Sequence, residues 1–374
     1  MRILRVVYRL PPEPGGMERH VDRLTREQLG RGHDIVLAHR YGRAPDAARV
    51  LAPPPTLAGR LAALRSGTAA LAVDVARALP GVRGLDLVHL HGDHREALSL
   101  GPAARRLGVP LVVTVHGALT TRRRWLLSWA FRLVDGFIAL GDRPRDDLLA
   151  AGVPAEAISV MSSGLDLSRL DRFRGRAPVE RGLVVGVGSL EKVKNHGLLI
   201  EALHQVRATC PWARLVIAGE GAERERLERL AGTGGAVEFA GRLTAGRVHA
   251  LVARAHAFVL ASRRLPTIGE GVPTAALEAL ALGTPVIVSS DASLGPAVAD
   301  GGAYRVFRSG SRQELVAHLL AVLAMEPGHA ETARRGRRAV DGLDWRQMTS
   351  RVEECYQAVT ARSRRRAAPV TRAR

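Results

Sequence analysis

Two carboxylates eight residues apart mark the segment Gly269-Glu270-Gly271-Val272-Pro273-Thr274-Ala275-Ala276-Leu277-Glu278-Ala279. Glu270 lies in a Gly/Pro loop. Pro273 reads as a helix start, because the N–H that proline lacks would be unpaired in a first turn anyway. Glu278 then falls about one and a half turns inside that helix, on the order of 8 Å further along at 1.5 Å rise per residue. Helix N-terminal N–H donors suit a phosphate, and acceptor-only carboxylates suit hydroxyls. The pattern fits a phosphate joined to sugars.

Other residues have the chemistry to share that task. The loop Gly186-Val187-Gly188-Ser189-Leu190-Glu191-Lys192-Val193-Lys194-Asn195-His196 carries both lysines of the chain. A compact ammonium is a point-charge partner for phosphate oxygens, and a solvated charge cluster is the plain alternative. His116 closes the run Val112-Val113-Thr114-Val115 and precedes Gly117, the ligand-facing end of a parallel strand or the place of a packed histidine. Gly15-Gly16 permits close backbone approach ahead of a helix, or simply a turn. Arg242 follows a strand end where a base edge could dock, or it is solvated. Ala218-Gly219-Glu220-Gly221 reads as a structural turn. His89 and His91, with Asp93 after them, lack a third partner at ligand spacing, so they read as structural. No Asp-x-Asp pair is present to place a divalent metal on a diphosphate, and no metal site is expected.

The elements that must position these residues alternate strand and helix. Short apolar runs at 3–8, 35–37, 87–90, 111–115 and 137–140 are separated by helical patterns. The alternation restarts at 183–187, 215–218, 237–240, 258–260 and 286–288. This predicts α/β architecture: two doubly wound parallel-sheet, Rossmann-like domains, with ligands at the strands' carboxyl ends and a main site in the cleft they face. The domains are placed at 1–172 and 180–343, with a linker at about 171–181. A C-terminal helix at about 345–361, marked by Trp345, Met348, Val352 and Tyr356, packs back onto the first domain, and 362–374 is a disordered basic tail.

With 374 residues, two domains are the default. No uncharged apolar run of 18 residues occurs and the N-terminus lacks a long apolar core, so neither a membrane span nor a secretory signal is expected. Cys210 and Cys355 are isolated, which suits a reducing cytoplasm. The net charge of +19 is almost all arginine, a bias that a GC-rich genome explains. Nucleic acid is disfavoured as a partner because aromatics are scarce and no binding motif appears. The stretch 122–132 joins arginines to Trp125 and Trp129 at helical spacing. It reads as a core helix with a basic first turn, or as a helix on an anionic bilayer, which leaves a peripheral position on the inner membrane face open.

Taken in order, these motifs resemble family 4 of the nucleotide-sugar-dependent retaining glycosyltransferases, which have the GT-B fold. The resemblance rests on Pro-Pro-x-x-Gly-Gly-x-Glu at 11–18, Thr114-Val115-His116-Gly117, Ser163-Gly164-Leu165-Asp166, Lys194, and the Glu-Gly-x-Pro and Leu-Glu-Ala pieces around Glu270 and Glu278. It implies a hexosyl transfer from a nucleotide diphosphate donor to a glycan or lipid-linked acceptor, with no further cofactor, in bacterial cell-surface polysaccharide or glycolipid synthesis. The backbone at Gly16 would approach the diphosphate and Lys194 would neutralise it. The segment of Gly271, Val272, Pro273 and Thr274 would turn backbone N–H groups toward the donor, Glu278 would hold the ribose, Glu270 would orient the hexose, and His116 would stand beside the reacting sugar. Where the family has arginine five residues before the lysine this chain has Ser189, and Lys192 is the expected substitute charge. An epimerase on the same fold, or a binding subunit without turnover, would use the same donor site.

Overall fold

A computed structural model describes residues 1–374 except 14, 118, 120–123, 266–268, 270, 293, 295–297, 299–301, 326–329 and 368–374, with the backbone alone of Arg124, Ala330, Thr332, Arg366 and Ala367. The chain forms two compact units. Met1–Gly164 and the chain from Trp345 onward make the first, and Leu165–Asp344 makes the second.

The first unit contains β1 (Arg2–Val6), α1 (Gly16–Gly30), β2 (Asp34–Ala38), β3 (Arg49–Val50), α2 (Leu57–Ala63), α3 (Gly67–Ala78) and β4 (Leu87–His91). It continues through α4 (His94–Arg106), β5 (Leu111–Val115), α5 (Arg124–Phe131), β6 (Gly136–Leu140), α6 (Asp142–Ala150) and β7 (Ile158–Met161). Its sheet is parallel, in the order β3-β2-β1-β4-β5-β6-β7. Successive side chains alternate faces. Leu4, Val6, Val88, Leu90, Val113 and Val115 join the core beneath α3 to α6, and Arg5, His89, His91 and Thr114 take the opposite face.

The second unit contains α7 (Leu167–Leu170), β8 (Glu180–Val187), α8 (His196–Val206), β9 (Arg214–Ala218), α9 (Arg224–Ala231), β10 (Val237–Gly241), α10 (Ala245–Ala253) and β11 (Ala255–Leu260). After these come α11 (Thr274–Leu282), β12 (Val286–Ser289), β13 (Tyr304–Phe307), α12 (Arg312–Leu323) and α13 (Ala330–Ala339). This sheet is also parallel, in the order β10-β9-β8-β11-β12-β13. Its strands β9, β11 and β12 are short apolar runs buried on both faces, the pattern that such sheets require, while the edge strands β10 and β13 are partly exposed. The last helix, α14 (Trp345–Ala367), belongs to the first unit, where Met348, Val352, Tyr356 and Val359 are buried.

Three expectations change. The crossing lies after Gly164, so the segment read as a linker at 171–181 belongs to the second unit. Arg337 holds Asp171 at 3.2 Å and the Phe173 ring meets His249 edge-on at 5.5 Å, so specific contacts order a stretch whose composition looks like a spacer. The final helix continues past 361 to Ala367, where Arg362 donates to the Glu156 carbonyl at 3.3 Å. Finally, α5 has two faces. Leu127, Ala130 and Phe131 are buried, while Trp125 and Trp129 are 69% and 56% exposed. The tryptophans are therefore not core residues.

Both sheets reverse their direction of growth beside their first strand, between β1 and β4 and between β8 and β11. Crossovers diverge at such a point and leave a crevice outside the carboxyl ends of the two strands.

Candidate active site

In the first unit that crevice is a cavity of about 420 Å³. Tyr8 and Met17 line it after β1, His91, Asp93 and Glu96 after β4, and His116 after β5. Asp93 and Glu96 form a capping box on α4, in which the Asp93 N–H donates to Glu96 Oε2 at 2.8 Å. Burial first, and the Asp93 charge second, push the Glu96 carboxyl up to about 7. Sequence reading passed over this group because a box residue looks purely structural.

His116 belongs to a cluster with His20, His89 and His91. His91 Nδ1 lies 2.9 Å from His116 Nε2, and His20 Nδ1 lies 2.9 Å from Ser163 Oγ. His20 is edge-on to His116 with ring centroids 5.1 Å apart. His89 is held at Nε2 by Thr114 Oγ1 (2.7 Å) and at Nδ1 by Tyr356 Oη (2.6 Å). Burial lowers the pKa of all four rings, that of His116 to about 3, so the cluster is neutral at pH 7. Beside it lies Arg5, fully buried, whose guanidinium donates to Thr25 Oγ1 (2.6 Å), Gln28 and Tyr356 Oη (3.3 Å). The register explains the grouping: Arg5 is paired with His89 and His91 with Thr114 across the sheet. His89 and His91 are thus packed histidines, and among the described residues no group of three or more His, Cys, Asp or Glu is arranged to hold a metal. Gly16 opens α1 at the exit of β1.

In the second unit the lysine loop leaves β8 at the switch point. Gly219 packs against it so closely that a Cβ would stand 1.8 Å from the Gly188 carbonyl oxygen, and backbone bonds join Gly188 to Ala218 and Leu190 to Glu220. The Ala218-Gly219-Glu220-Gly221 turn is structural in this sense. The Lys194 stem crosses the strand exit, its Cδ and Cε 3.2 Å from where a Gly188 Cβ would be. His196 at the start of α8 is buried, which together with the Lys194 charge lowers its pKa to about 4. Ser189 is exposed. Lys192 lines a hollow of about 360 Å³ with Asn195, Glu201, Arg226 and Arg263, whose lining does not include Lys194.

Arg263, which sequence reading missed, ties two loops together. Its N–H donates to the Val193 carbonyl at 2.8 Å and its Nε to the Lys192 carbonyl at 3.1 Å. The exit of β11, leading to α11, is thereby fastened to the lysine loop. At the start of α11 the Thr274 N–H is bonded to the Val272 carbonyl at 2.8 Å, and Pro273 has no N–H. The expected donor set of 271–274 therefore reduces to Gly271 and Val272. Glu278 lies half-buried, with Oε2 3.5 Å from Nε2 of the buried His249. His249 left no signal in the sequence, since it sits inside α10 with ordinary helical spacing. Arg242 is exposed after β10. Glu270 lies outside the described residues.

Residues 14–169 match the model of "Glycosyltransferase Family 4" and residues 168–339 match that of "Glycosyl transferases group 1". The chain belongs to the family 4, group 1 glycosyltransferases. Among curated relatives of this glycosyltransferase is the glycogen synthase of Mycobacterium tuberculosis, 29% identical and covering 96% of this chain and 95% of the relative. A second, from the same species, is the GDP-mannose-dependent alpha-(1-6)-phosphatidylinositol dimannoside mannosyltransferase, 28% identical over 92% of this chain and 93% of the relative. The structure of Anabaena HepE in complex with UDP aligns with a TM-score of 0.73 at 19% identity, covering 96% of this chain and 100% of that one. The fold is GT-B, with parallel sheets of seven and six strands.

Proposed function

We propose that this glycosyltransferase moves a hexose from a nucleotide diphosphate sugar to a glycan or lipid-linked acceptor, with retention and without a metal, in bacterial cell-surface polysaccharide or glycolipid synthesis. The observation that carries this reading is the fastening of the lysine loop to the exit of β11 by Arg263, at the switch point of the second sheet. A cation and a helix N-terminus then serve one ligand. In this reading Lys194 neutralises the diphosphate, the Gly271 and Val272 N–H groups bind its oxygens, and Glu278, steadied by His249, accepts from ribose hydroxyls. Glu270 orients the hexose and His116 hydrogen-bonds it.

The sugar–phosphate C–O bond breaks as the acceptor oxygen attacks from the same face. The acceptor's proton passes to the departing diphosphate oxygen, so no protein base is required. Stabilising that developing charge is the protein's main catalytic task. The exposed tryptophans of α5, with exposed Leu57 and Leu61 on α2 and Leu64 just after it, suit an anionic membrane surface that carries the acceptor.

The test is incubation with a panel of UDP-, GDP- and ADP-sugars and lipid extract. Steady release of nucleotide diphosphate and an α-linked product from an α-linked donor are expected. Isomerised donor without release would instead make it an epimerase, and tight donor binding with no turnover a binding subunit.

A further inference from the structure

The geometry points to His91 as a positioning residue that holds His116 with its proton on Nδ1, so that His116 presents a hydrogen-bond donor to the cavity and not a base. This rests on the reading in which His116 bonds the transferred hexose.

A neutral imidazole has one donor and one acceptor nitrogen. Between His91 Nδ1 and His116 Nε2, 2.9 Å apart, there is room for one proton. If that proton belonged to His116, His91 would carry its own on Nε2, which is buried with no partner among the described residues. A buried N–H without an acceptor is among the rarest defects in folded proteins. No acceptor among the described residues lies within hydrogen-bond reach of His91 Nε2. Both nitrogens of His89, stacked on His91 with centroids 4.1 Å apart, are taken by Tyr356 and Thr114, and His20 Nδ1 is engaged with Ser163. Placing the proton on His91 Nδ1 leaves only a bare lone pair buried. His91 then donates to His116 Nε2, and the His116 proton must reside on Nδ1. Double protonation is opposed by burial first and by the nearby Arg5 charge.

The decisive measurement uses the ligand-free wild-type chain with 15N-labelled histidine rings, His116 being identified by the signal lost in His116→Ala. A protonated Nδ1 and a pyridine-type Nε2 are expected, and a protonated Nε2 overturns the inference whatever the activity. In kinetics, His91→Phe should lower kcat about tenfold with donor KM little changed, the effect of one misplaced hydrogen bond. His91→Asn, whose Nδ2–H stands near the lost Nδ1–H, should restore both the tautomer and the rate to within about threefold. A His91→Phe protein with unchanged His116 tautomer defeats the positioning role. If His116→Ala transfers sugar at the wild-type rate, the role given to His116 fails separately, with the tautomer still readable.

Discussion

Lys192 and Lys194 are two residues apart and chemically identical, yet Lys192 lines the hollow beside Arg226 and Arg263 while the Lys194 stem runs past Gly188. Only Lys194 crosses the strand exit where a diphosphate would dock. Lys194→Ala should therefore lower kcat/KM for the donor by about ten- to a hundredfold, the worth of a charge-assisted hydrogen bond. Lys192→Ala should stay within about threefold, and an equal loss in a donor-concentration series would show that Lys192 replaces the arginine missing at Ser189. Glu278→Ala should raise donor KM by a similar ten- to a hundredfold through lost ribose contacts, measurable by titrating donor in the same assay. Lys194, Glu278 and His116 can be singled out from the sequence because Lys194 is one of only two lysines, Glu278 follows Pro273 into a helix, and His116 ends an apolar run before Gly117. His20, His249 and Arg263 were not legible. Each acts through a partner set by tertiary packing, as when His20 meets Ser163 from 143 residues away, and no local spacing encodes that.

At the scale of elements, α14 contributes a hydroxyl where the sheet face of the first unit is most polar. Tyr356 stands between the Arg5 guanidinium and His89. Tyr356→Phe leaves a buried cation and an imidazole nitrogen short of a partner, which should cost about 1–3 kcal/mol. A lower urea midpoint measures it, and an unchanged midpoint would show that Thr25 and Gln28 suffice for Arg5. The parallel sheets were readable as alternating apolar runs. The end of α14 was not, because its last turns are arginine-rich and look like a tail. Elsewhere in the first unit, α5 exposes tryptophans and α2 exposes leucines. Co-sedimentation with anionic vesicles should fall when Trp125 and Trp129 are both changed to Ser, and should weaken with added salt. Indifference to both would remove the membrane from the account.

For the whole molecule, the neutral histidines make stability depend on pH. Their folded pKa values lie below the unfolded value near 6.5, so the unfolded chain binds more protons as pH falls from 6.5 toward 3–4. Stability is therefore full above about 6.5 and is lost on acidification, by about 1.4 kcal/mol per pH unit for each proton so gained. Glu96, raised to about 7, and Glu18, also raised by burial, act in the opposite sense, but they are two carboxylates against seven lowered histidines among the described residues of the first unit. Thermal scans between pH 7 and 4.5 should show the first unit losing stability faster than the second, where burial lowers His196 to about 4. Equal slopes would mean that the cluster is hydrated.

Arg5 and Tyr356 come from opposite ends of the chain, with the whole second unit between them. On the ribosome, Arg5 therefore emerges early and waits for its hydroxyl until the final helix is made. At roughly 5–20 residues per second, the second unit alone takes on the order of 10–40 s to synthesise. Contiguous in sequence, it can finish folding while the first sheet still lacks one of its covering helices. The order of completion during synthesis is thus the reverse of the order of emergence.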